Sequence, residues 1–276
     1  MFSGQGAQKS GMGKELYEAS PAAREIFDMA GEDIKAMCFS GTDEELAQTI
    51  NTQPCVFTVT MAEWAAFERK DEVAALAGFS LGEYAAMCAA GVFDFKEGLE
   101  LVKKRAKFMD VAAKKRAGGM VAVLGLDKSE ICDILGERGS GERVLEAVNF
   151  NCPGQTVVAG DIDSIGELCG VLEEKGVKHA RLPVSGAFHS SLMGEVVEKL
   201  AAELDGMELG EPKLPIVSNV TGEFYKAGEI KGLLAKQVAS AVRWEDSIRY
   251  LQGQGIEEFV EVGVGKTLSG FLRRIK

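Results

Sequence analysis

The segment Gly78–Gly82, with the sequence Gly-Phe-Ser-Leu-Gly, limits the possible folds of this chain most strongly. The apolar run at residues 73–77 before it predicts a short buried strand, and residues 83–90 after it predict a helix. A small residue two positions before and two positions after Ser80 permits a sharp turn that presents a nucleophile, although an ordinary glycine-bracketed turn has the same pattern. A strand that passes directly into a helix indicates an α/β domain.

A second segment, residues 116–185, has a pattern of predicted strands and helices that differs from that of the flanking segments. Its predicted elements are strand 120–126, helix 128–135, strand 144–150, strand 156–159, helix 162–175 and strand 177–184. This β-α-β-β-α-β order is typical of a ferredoxin-like (split βαβ) unit. We therefore expect a ferredoxin-like subdomain at 116–185, inserted into one α/β domain formed by 1–115 and 186–276. A strand is also expected near 216–219.

Composition excludes several classes of function. The 276 residues are 46% hydrophobic and 26% charged, as in globular proteins. The formal net charge of −11 repels phosphate backbones, so no nucleic-acid partner is expected. Six cysteines without a C-x-x-C pair or metal-ligand spacing indicate a reducing compartment and no metal site. With no apolar run near the ~20 residues of a membrane span, and no signal-like start, we expect a cytoplasmic protein away from membranes.

A serine hydroxyl needs a base, most often a histidine, and this chain has only two. His179 lies in a charged segment of the predicted insert and is expected at the surface. His189 lies where the chain returns to the main domain, and clefts form at such junctions, so it is the candidate base for Ser80. A histidine that caps the next helix is the other reading. No acidic residue is identified as a third member of the site.

Arg105 is the most informative candidate for substrate binding. Residues 101, 105, 108 and 112 share one stripe of a predicted helix, and the other three are apolar. An inward-facing arginine needs an anion, which is either a carboxylate of this chain or one of a bound substrate. The basic residues around it form either a solvated helix face or a docking patch for an acidic partner; they are Lys103, Lys104, Lys107, Lys114, Lys115 and Arg116.

Two glycine-rich segments lack the spacing of a phosphate-binding loop. Residues 263–267 end like a Walker motif, but Val260 stands where its first glycine is required. Gly4-Gln5-Gly6 is followed by Lys9, where a dinucleotide fingerprint has its third glycine. We therefore expect no nucleotide cofactor.

Taken together, the motifs resemble the malonyl-CoA:acyl carrier protein transacylases of bacterial fatty-acid synthesis and the related acyltransferase domains of polyketide synthases. The resemblance covers essentially the whole chain and rests on residues 2–8, 78–84, 105, 149–155, 187–190, 218–220, 237 and 261–263. It implies an α/β-hydrolase-like domain with a ferredoxin-like insert. It also implies a monomer that needs no cofactor and moves a malonyl group from malonyl-CoA to acyl carrier protein.

The resemblance assigns the chemical steps to four residues. Ser80 would attack the malonyl thioester, and His189 would act first as base and then as acid. The backbone N–H groups of Gln5 and Leu81 would form the oxyanion hole. The malonyl-serine would then pass its acyl group to the phosphopantetheine thiol of the carrier protein, which supplies extender units for fatty-acid synthesis.

Three further residues gain a role by the same resemblance. Arg105 would form a bidentate pair with the free malonyl carboxylate. A backbone carbonyl near Gln237 would orient the histidine, which accounts for the missing acidic residue. In polyketide acyltransferases a phenylalanine in the region of Phe188 accompanies malonyl selection, and a serine there accompanies methylmalonyl selection.

The sequence also departs from the family pattern. Phe79 replaces the usual histidine beside the nucleophile, and Ser3 and Val264 replace prolines. The first strand of the family normally precedes residue 2, so either the start lies upstream or an edge of the sheet is less well covered. Two alternative functions stay open: a serine esterase or thioesterase, and a non-catalytic module that binds a carrier protein.

Overall fold

The computed structural model describes residues 1–136 and 143–275, and it is an α/β protein, as predicted. Residues 137–142, inside the predicted insert, and residue 276 lie outside this description. The helices are α1 Lys14–Ala19, α2 Pro21–Ala30, α3 Glu32–Ser40, α4 Asp43–Ala47, α5 Thr49–Ala66, α6 Leu81–Ala89, α7 Phe95–Lys115, α8 Lys128–Gly136, α9 Ile162–Glu174, α10 Gly194–Asp205, α11 Ile230–Lys236, α12 Trp244–Gly253 and α13 Thr267–Leu272. The strands are β1 Leu76–Ala77, β2 Gly118–Leu124, β3 Leu145–Cys152, β4 Gln155–Asp161, β5 Lys178–Arg181 and β6 Ile216–Val217.

The helical pattern of residues 21–70 predicts several N-terminal helices, with a capped start at residues 41–45 and a long apolar helix at 56–67, and helices form there. Ser20 caps α2, and Thr42 with Glu45 forms a capping box at α4. The buried helix α5 is longer than predicted and starts at Thr49, not near residue 56. Pro54 therefore lies inside the helix, although proline is usually confined to the first turn. The carbonyl group of Pro54 accepts a hydrogen bond from the Thr58 hydroxyl (2.8 Å).

The strand before Ser80 is shorter than the predicted 73–77. Only Leu76–Ala77 pairs in parallel with β6, and Phe2 forms parallel bridges to Gly78 and Val262. Phe2 thus lies between the segments at Gly78 and Val262. Beside Met1, residues 73–77 and 255–260 line a cavity of about 270 Å³.

Both glycines of the predicted turn are required by close backbone contacts. A Cβ on Gly78 would lie 2.1 Å from the carbonyl carbon and oxygen of Gly82. A Cβ on Gly82 would lie 2.2 Å from the carbonyl oxygen of Phe2. Between them Ser80 adopts φ 52° and ψ −106°, a conformation that costs about 1–3 kcal/mol and lifts the side chain above the turn.

Replacing Gly78 by alanine is therefore expected to lower the free energy of unfolding by at least about 2–3 kcal/mol, because the Cβ meets backbone that cannot move aside. Urea denaturation at an unchanged slope measures the effect. A Cβ on Gly170 in α9 would meet no neighbouring atom within 4 Å, so Gly170→Ala is the matched control. The control is expected to gain about 0.5–1 kcal/mol. A Gly78→Ala midpoint equal to wild type would contradict the argument.

The second sheet contains the four strands β3-β4-β2-β5, in that order, and all neighbours are antiparallel. This confirms the predicted β-α-β-β-α-β order of elements. One face of the sheet packs on α8 and α9 through a hydrophobic cluster that includes Val121, Ile131 and Leu168. The opposite face, with Met120 and Ala122, joins the main core. β5 ends at Arg181, earlier than predicted, and beyond it the backbone N–H of Val184 donates to the carbonyl oxygen of Leu182 in the same segment rather than to β2.

Candidate active site

Ser80 lies between β1 and α6, and the side chain of Asn219 holds its turn in place. The backbone N–H of Ser80 donates to Asn219 Oδ1 (2.7 Å), and Asn219 Nδ2 donates to the carbonyl oxygen of Gly78 (2.6 Å). Asn219 follows β6, the strand that pairs with β1. The parallel pairing of these two short strands therefore places the Asn219 side chain beside the turn at Ser80.

His189 lies against Ser80. The distance from Ser80 Oγ to His189 Nε2 is 2.7 Å, and Nδ1 lies 2.9 Å from the backbone carbonyl oxygen of Gln237. A carbonyl only accepts, so Nδ1 carries the proton and Nε2 is free to accept the serine hydroxyl proton. The backbone N–H of His189 donates to the carbonyl of Val238 (3.0 Å), and its φ is 66°. The ring is thus oriented by a backbone carbonyl.

Arg105 reaches the same point from the inward stripe of α7. It is 1% exposed, and its Nη2 lies 3.3 Å from Ser80 Oγ. Its other acceptors are neutral amide oxygens, Gln53 Oε1 (2.6 Å to Nη1) and Gln237 Oε1 (3.0 Å to Nη2). Within residues 1–136 and 143–275 no carboxylate forms a salt bridge with Arg105. Of the two anions that the sequence left open, no carboxylate in this described part contacts Arg105 directly, although the buried carboxyl group of Glu83 lies close enough to favour its charged form.

A cavity of about 310 Å³ lies over Ser80, Arg105 and His189. Its walls come from the loop at residues 3–8, from β2, β3 and β4, and from Phe188 beside the histidine. The other histidine, His179, is half-buried on the edge strand β5 and is not among the lining residues. A cavity of this size, with a nucleophile, a base and a cation at one end, suits a small anionic acyl group.

Two backbone N–H groups near Ser80 are available to an oxygen anion. Leu81 is the first residue of α6, so its N–H has no acceptor inside the helix. Gln5 lies in the loop that lines the cavity. Among the described residues neither backbone N–H donates to a protein acceptor. Both residues therefore retain the donor that an oxyanion hole requires.

The chain is matched by the model of a known protein family. The family model of the acyl transferase domain matches residues 1–272 of the chain. The chain belongs to the acyl transferase family. It is therefore an acyltransferase, and the site around Ser80 is its candidate active site.

Individual members of the acyl transferase family are similar over the whole chain. The malonyl CoA-acyl carrier protein transacylase of Bacillus subtilis is 38% identical over 282 residues, which is 100% of this chain and 89% of that protein. The polyketide biosynthesis protein ThaF of Burkholderia thailandensis is 41% identical over 280 residues, but this chain spans only 24% of its length. A solved complex of a type II polyketide synthase acyl carrier protein with its malonyl-transacylase has a TM-score of 0.93 and 35% identity, covering 99% of this chain and 91% of that one.

Sequence reasoning did not single out two buried residues of this acyl transferase. Gln53 in α5 accepts from Arg105, and Glu83 in α6 accepts from the side chain of Gln237. The sequence feature that could have identified them is a polar residue in a helix whose other buried positions are mostly apolar. Leu81 and Gln237 do not line the cavity. Gln237 instead contacts Arg105 through its side-chain oxygen and His189 through its backbone carbonyl oxygen.

The basic run on α7 is not a continuous positive surface in this acyl transferase. Arg105 is buried, which excludes it from any docking patch. Five of the other six cations form ion pairs with acidic residues of the same chain: Lys103–Glu100, Lys104–Glu203, Lys114–Asp110, Lys115–Glu195 and Arg116–Asp161. Exposed pairs of this kind are weak, so an acidic partner could exchange with them, and the docking patch stays a prediction.

Burial and the charge of Arg105 lower the pKa of His189 to about 4. The imidazole accepts a proton only in its neutral form, so kcat/KM for acylation of Ser80 is expected to stay level down to about pH 5 and to fall below about pH 4. Stopped-flow acylation by the uncharged ester p-nitrophenyl acetate measures this, with circular dichroism at each pH as the folding control. A midpoint near the ordinary histidine value would contradict it.

Residues 1–136 and 143–275 contain neither a metal-ligand cluster nor a helix that could span a membrane. Within these ranges no group of three or more histidine, cysteine or acidic side chains is arranged to hold a metal ion. None of the helices described there has the length and apolar character needed to cross a membrane.

Proposed function

We propose that this acyl transferase moves a malonyl group from malonyl-CoA to the phosphopantetheine thiol of acyl carrier protein and so supplies extender units for fatty-acid synthesis. The observation that carries the proposal is the buried guanidinium of Arg105, 3.3 Å from the serine oxygen and bonded only to neutral oxygens. A buried cation in that position favours an acyl group with a free carboxylate. The similar transacylase of Bacillus subtilis is named for this substrate.

The first half of the reaction forms a malonyl ester on Ser80. His189 Nε2 takes the hydroxyl proton while Oγ attacks the thioester carbonyl, and the N–H groups of Gln5 and Leu81 stabilise the resulting oxygen anion. The carbon–sulfur bond then breaks, and His189 returns its proton to the departing thiolate, which leaves as coenzyme A. The Gln237 carbonyl keeps Nδ1 protonated throughout, so an acidic third residue is not needed.

In the second half of the reaction the acceptor of the malonyl group is the thiol of the carrier protein, whereas a hydrolase would use water. His189 accepts the thiol proton, sulfur attacks the serine ester, and Ser80 leaves with the proton that His189 returns. The thiol arm enters through the cavity that opens over Ser80. A solved relative in complex with its acyl carrier protein supports this partner.

Phe188 is proposed to limit the size of the acyl group. Its ring is buried and lines the cavity next to His189. A bulky ring close to the α-carbon leaves little room for a methyl branch, which favours malonyl over methylmalonyl.

A thioesterase would share Ser80 and His189, so the fate of the malonyl enzyme separates the two functions. Purified malonyl enzyme is expected to transfer its label to holo acyl carrier protein at least about 100-fold faster than it loses the label to water, a barrier difference of roughly 3 kcal/mol. Rapid quench followed by gel electrophoresis measures both rates. Loss to water at the same rate with and without carrier protein would favour the thioesterase, and failure to form the malonyl enzyme would favour a non-catalytic binding module.

We also propose the finer description of the fold: an α/β-hydrolase-like domain of residues 1–115 and 186–276, with a ferredoxin-like subdomain at 116–185. The strand order β3-β4-β2-β5 and the separate hydrophobic cluster under α8 and α9 support the insert. The turn at Ser80, set between β1 and α6, supports the hydrolase-like assignment. The monomeric state, the cytoplasmic location and the lack of a cofactor stay predictions.

A further inference from the structure

Glu83 is a fully buried carboxyl group that the steps above do not use. It lies in α6, three residues after Ser80, and is 0% exposed. Three donors surround it: the Tyr225 hydroxyl (2.6 Å) and the Asn219 backbone N–H (3.0 Å) at Oε1, and Gln237 Nε2 (2.5 Å) at Oε2. It is not among the residues that line the cavity, so its effect on the substrate must pass through a neighbour.

The neighbour that connects Glu83 to the site is the side-chain amide of Gln237. An ionised carboxylate only accepts, so the NH₂ of Gln237 faces Glu83, and it also donates to the carbonyl oxygen of Ser80 (2.7 Å). The amide oxygen then points the other way and accepts from Arg105 Nη2 (3.0 Å). A flipped amide would place its oxygen against the carboxylate and its NH₂ against the guanidinium, which is unfavourable at both ends.

Arg105 is held at Nη1 by Gln53 Oε1 (2.6 Å), and its guanidinium lies over the Tyr84 ring, 5.1 Å from the centroid, so the Gln237 amide acts at the Nη2 end. Nη2 bonds to Gln237 Oε1 and to Ser80 Oγ, and the Nε atom of Arg105 is buried without a partner among the described residues. The direction of Nη2 toward the serine therefore depends on the Gln237 amide. Glu83 and Arg105 are opposite charges joined by that one amide.

We propose that Glu83 is a positioning residue that sets malonyl selectivity by orienting the Gln237 amide and, through it, the Arg105 guanidinium. This inference rests on the proposed function, because it assumes that Arg105 receives the malonyl carboxylate. Burial raises the pKa of Glu83 to about 7, opposed by the bonds from Tyr225 and Gln237. Assays at pH 8 therefore keep the group ionised.

The test is Glu83→Gln, which keeps the size of the side chain and removes its charge. kcat/KM for malonyl-CoA is expected to fall about 10- to 100-fold, mainly through a higher KM, the range expected for a hydrogen bond to a charged group. kcat/KM for acetyl-CoA, which has no carboxylate, is expected to change less than about threefold. Glu198→Gln is the matched control, since it makes the same substitution at an exposed glutamate of α10, away from Gln237, and it should leave the malonyl-to-acetyl ratio as in wild type.

The outcomes separate this inference from the proposed function. A wild-type enzyme without preference for malonyl-CoA over acetyl-CoA would overturn the proposed function itself. With that preference present, an equal fall for both donors in Glu83→Gln would show a merely structural carboxylate and overturn the inference. Gln237→Leu, which keeps the backbone carbonyl that orients His189, should lower the ratio to the same extent, and adding Glu83→Gln to it should lower the ratio no further.

The Gln237→Leu variant also covers the case in which Glu83→Gln does not fold. Full malonyl selectivity in Gln237→Leu would overturn the inference on its own. The inference would also be overturned if Glu83→Gln and Gln237→Leu each lowered the malonyl-to-acetyl ratio independently, so that their effects multiplied in the double variant. A residue that acts through Gln237 has no effect once that amide is gone.

Discussion

Replacing Ser80 by alanine is expected to abolish acyl transfer, with a loss of about 10⁴- to 10⁶-fold in kcat, because it removes the hydroxyl oxygen that lies 2.7 Å from His189 Nε2. Wild-type protein incubated with labelled malonyl-CoA should retain label after denaturation. Hydroxylamine should release it, as expected for an ester. Ser80→Ala should carry none.

The matched control for this experiment is Ser129→Ala. Ser129 is an exposed serine near the start of α8, and its hydroxyl donates to Asp127 (2.7 Å), away from the cavity. Its variant should label like wild type. Label that persists in Ser80→Ala would place the nucleophile elsewhere, and an unlabelled wild type would remove the acyl-enzyme route altogether.

Arg105→Ala is expected to have the second largest effect and to act on one substrate only. Removing the cation leaves a malonyl carboxylate buried without a partner, a cost of about 3–5 kcal/mol, so malonyl turnover should fall by at least about 100-fold. Acetyl turnover should be retained or increased, because acetyl has no charge to pair. Steady-state rates with the two donors in competition measure the change in preference.

Lys96→Ala provides the comparison for Arg105→Ala, since Lys96 is exposed on the same helix and lies outside the basic run at residues 103–116. It should change neither rate, and thermal denaturation should show that both variants fold. If Arg105→Ala lost malonyl and acetyl turnover equally, the arginine would be a structural residue and the substrate assignment would fall.

Much of the fold could be predicted because its signals are local. The capping box at Thr42 and Glu45 and the glycines around Ser80 depend on neighbours within a few residues. The predictions that failed depend on distant segments. β1 is two residues long because only Leu76 and Ala77 face a partner strand near residue 216, and no property of residues 73–77 encodes that limit.

The candidate site shows the same division. His189 was favoured from its place at a predicted junction, and Arg105 from its place on an apolar stripe. Gln53 and Glu83 were not singled out, because buried polar residues become recognisable only when their partners are known. Those partners lie 52 residues away for Gln53 and 154 for Glu83.

The sequence by itself determined the turn at Ser80 and the element order of the second sheet, because backbone sterics and hydrophobic periodicity act between near neighbours. It also placed Arg105 on the buried face of α7. The family resemblance implied a backbone carbonyl near Gln237 beside His189, but only the tertiary structure decided that it lies 2.9 Å from Nδ1 and that the partners of Arg105 are neutral amides. Those contacts join residues on helices and loops far apart in the chain, and their distances are set by how the whole core packs.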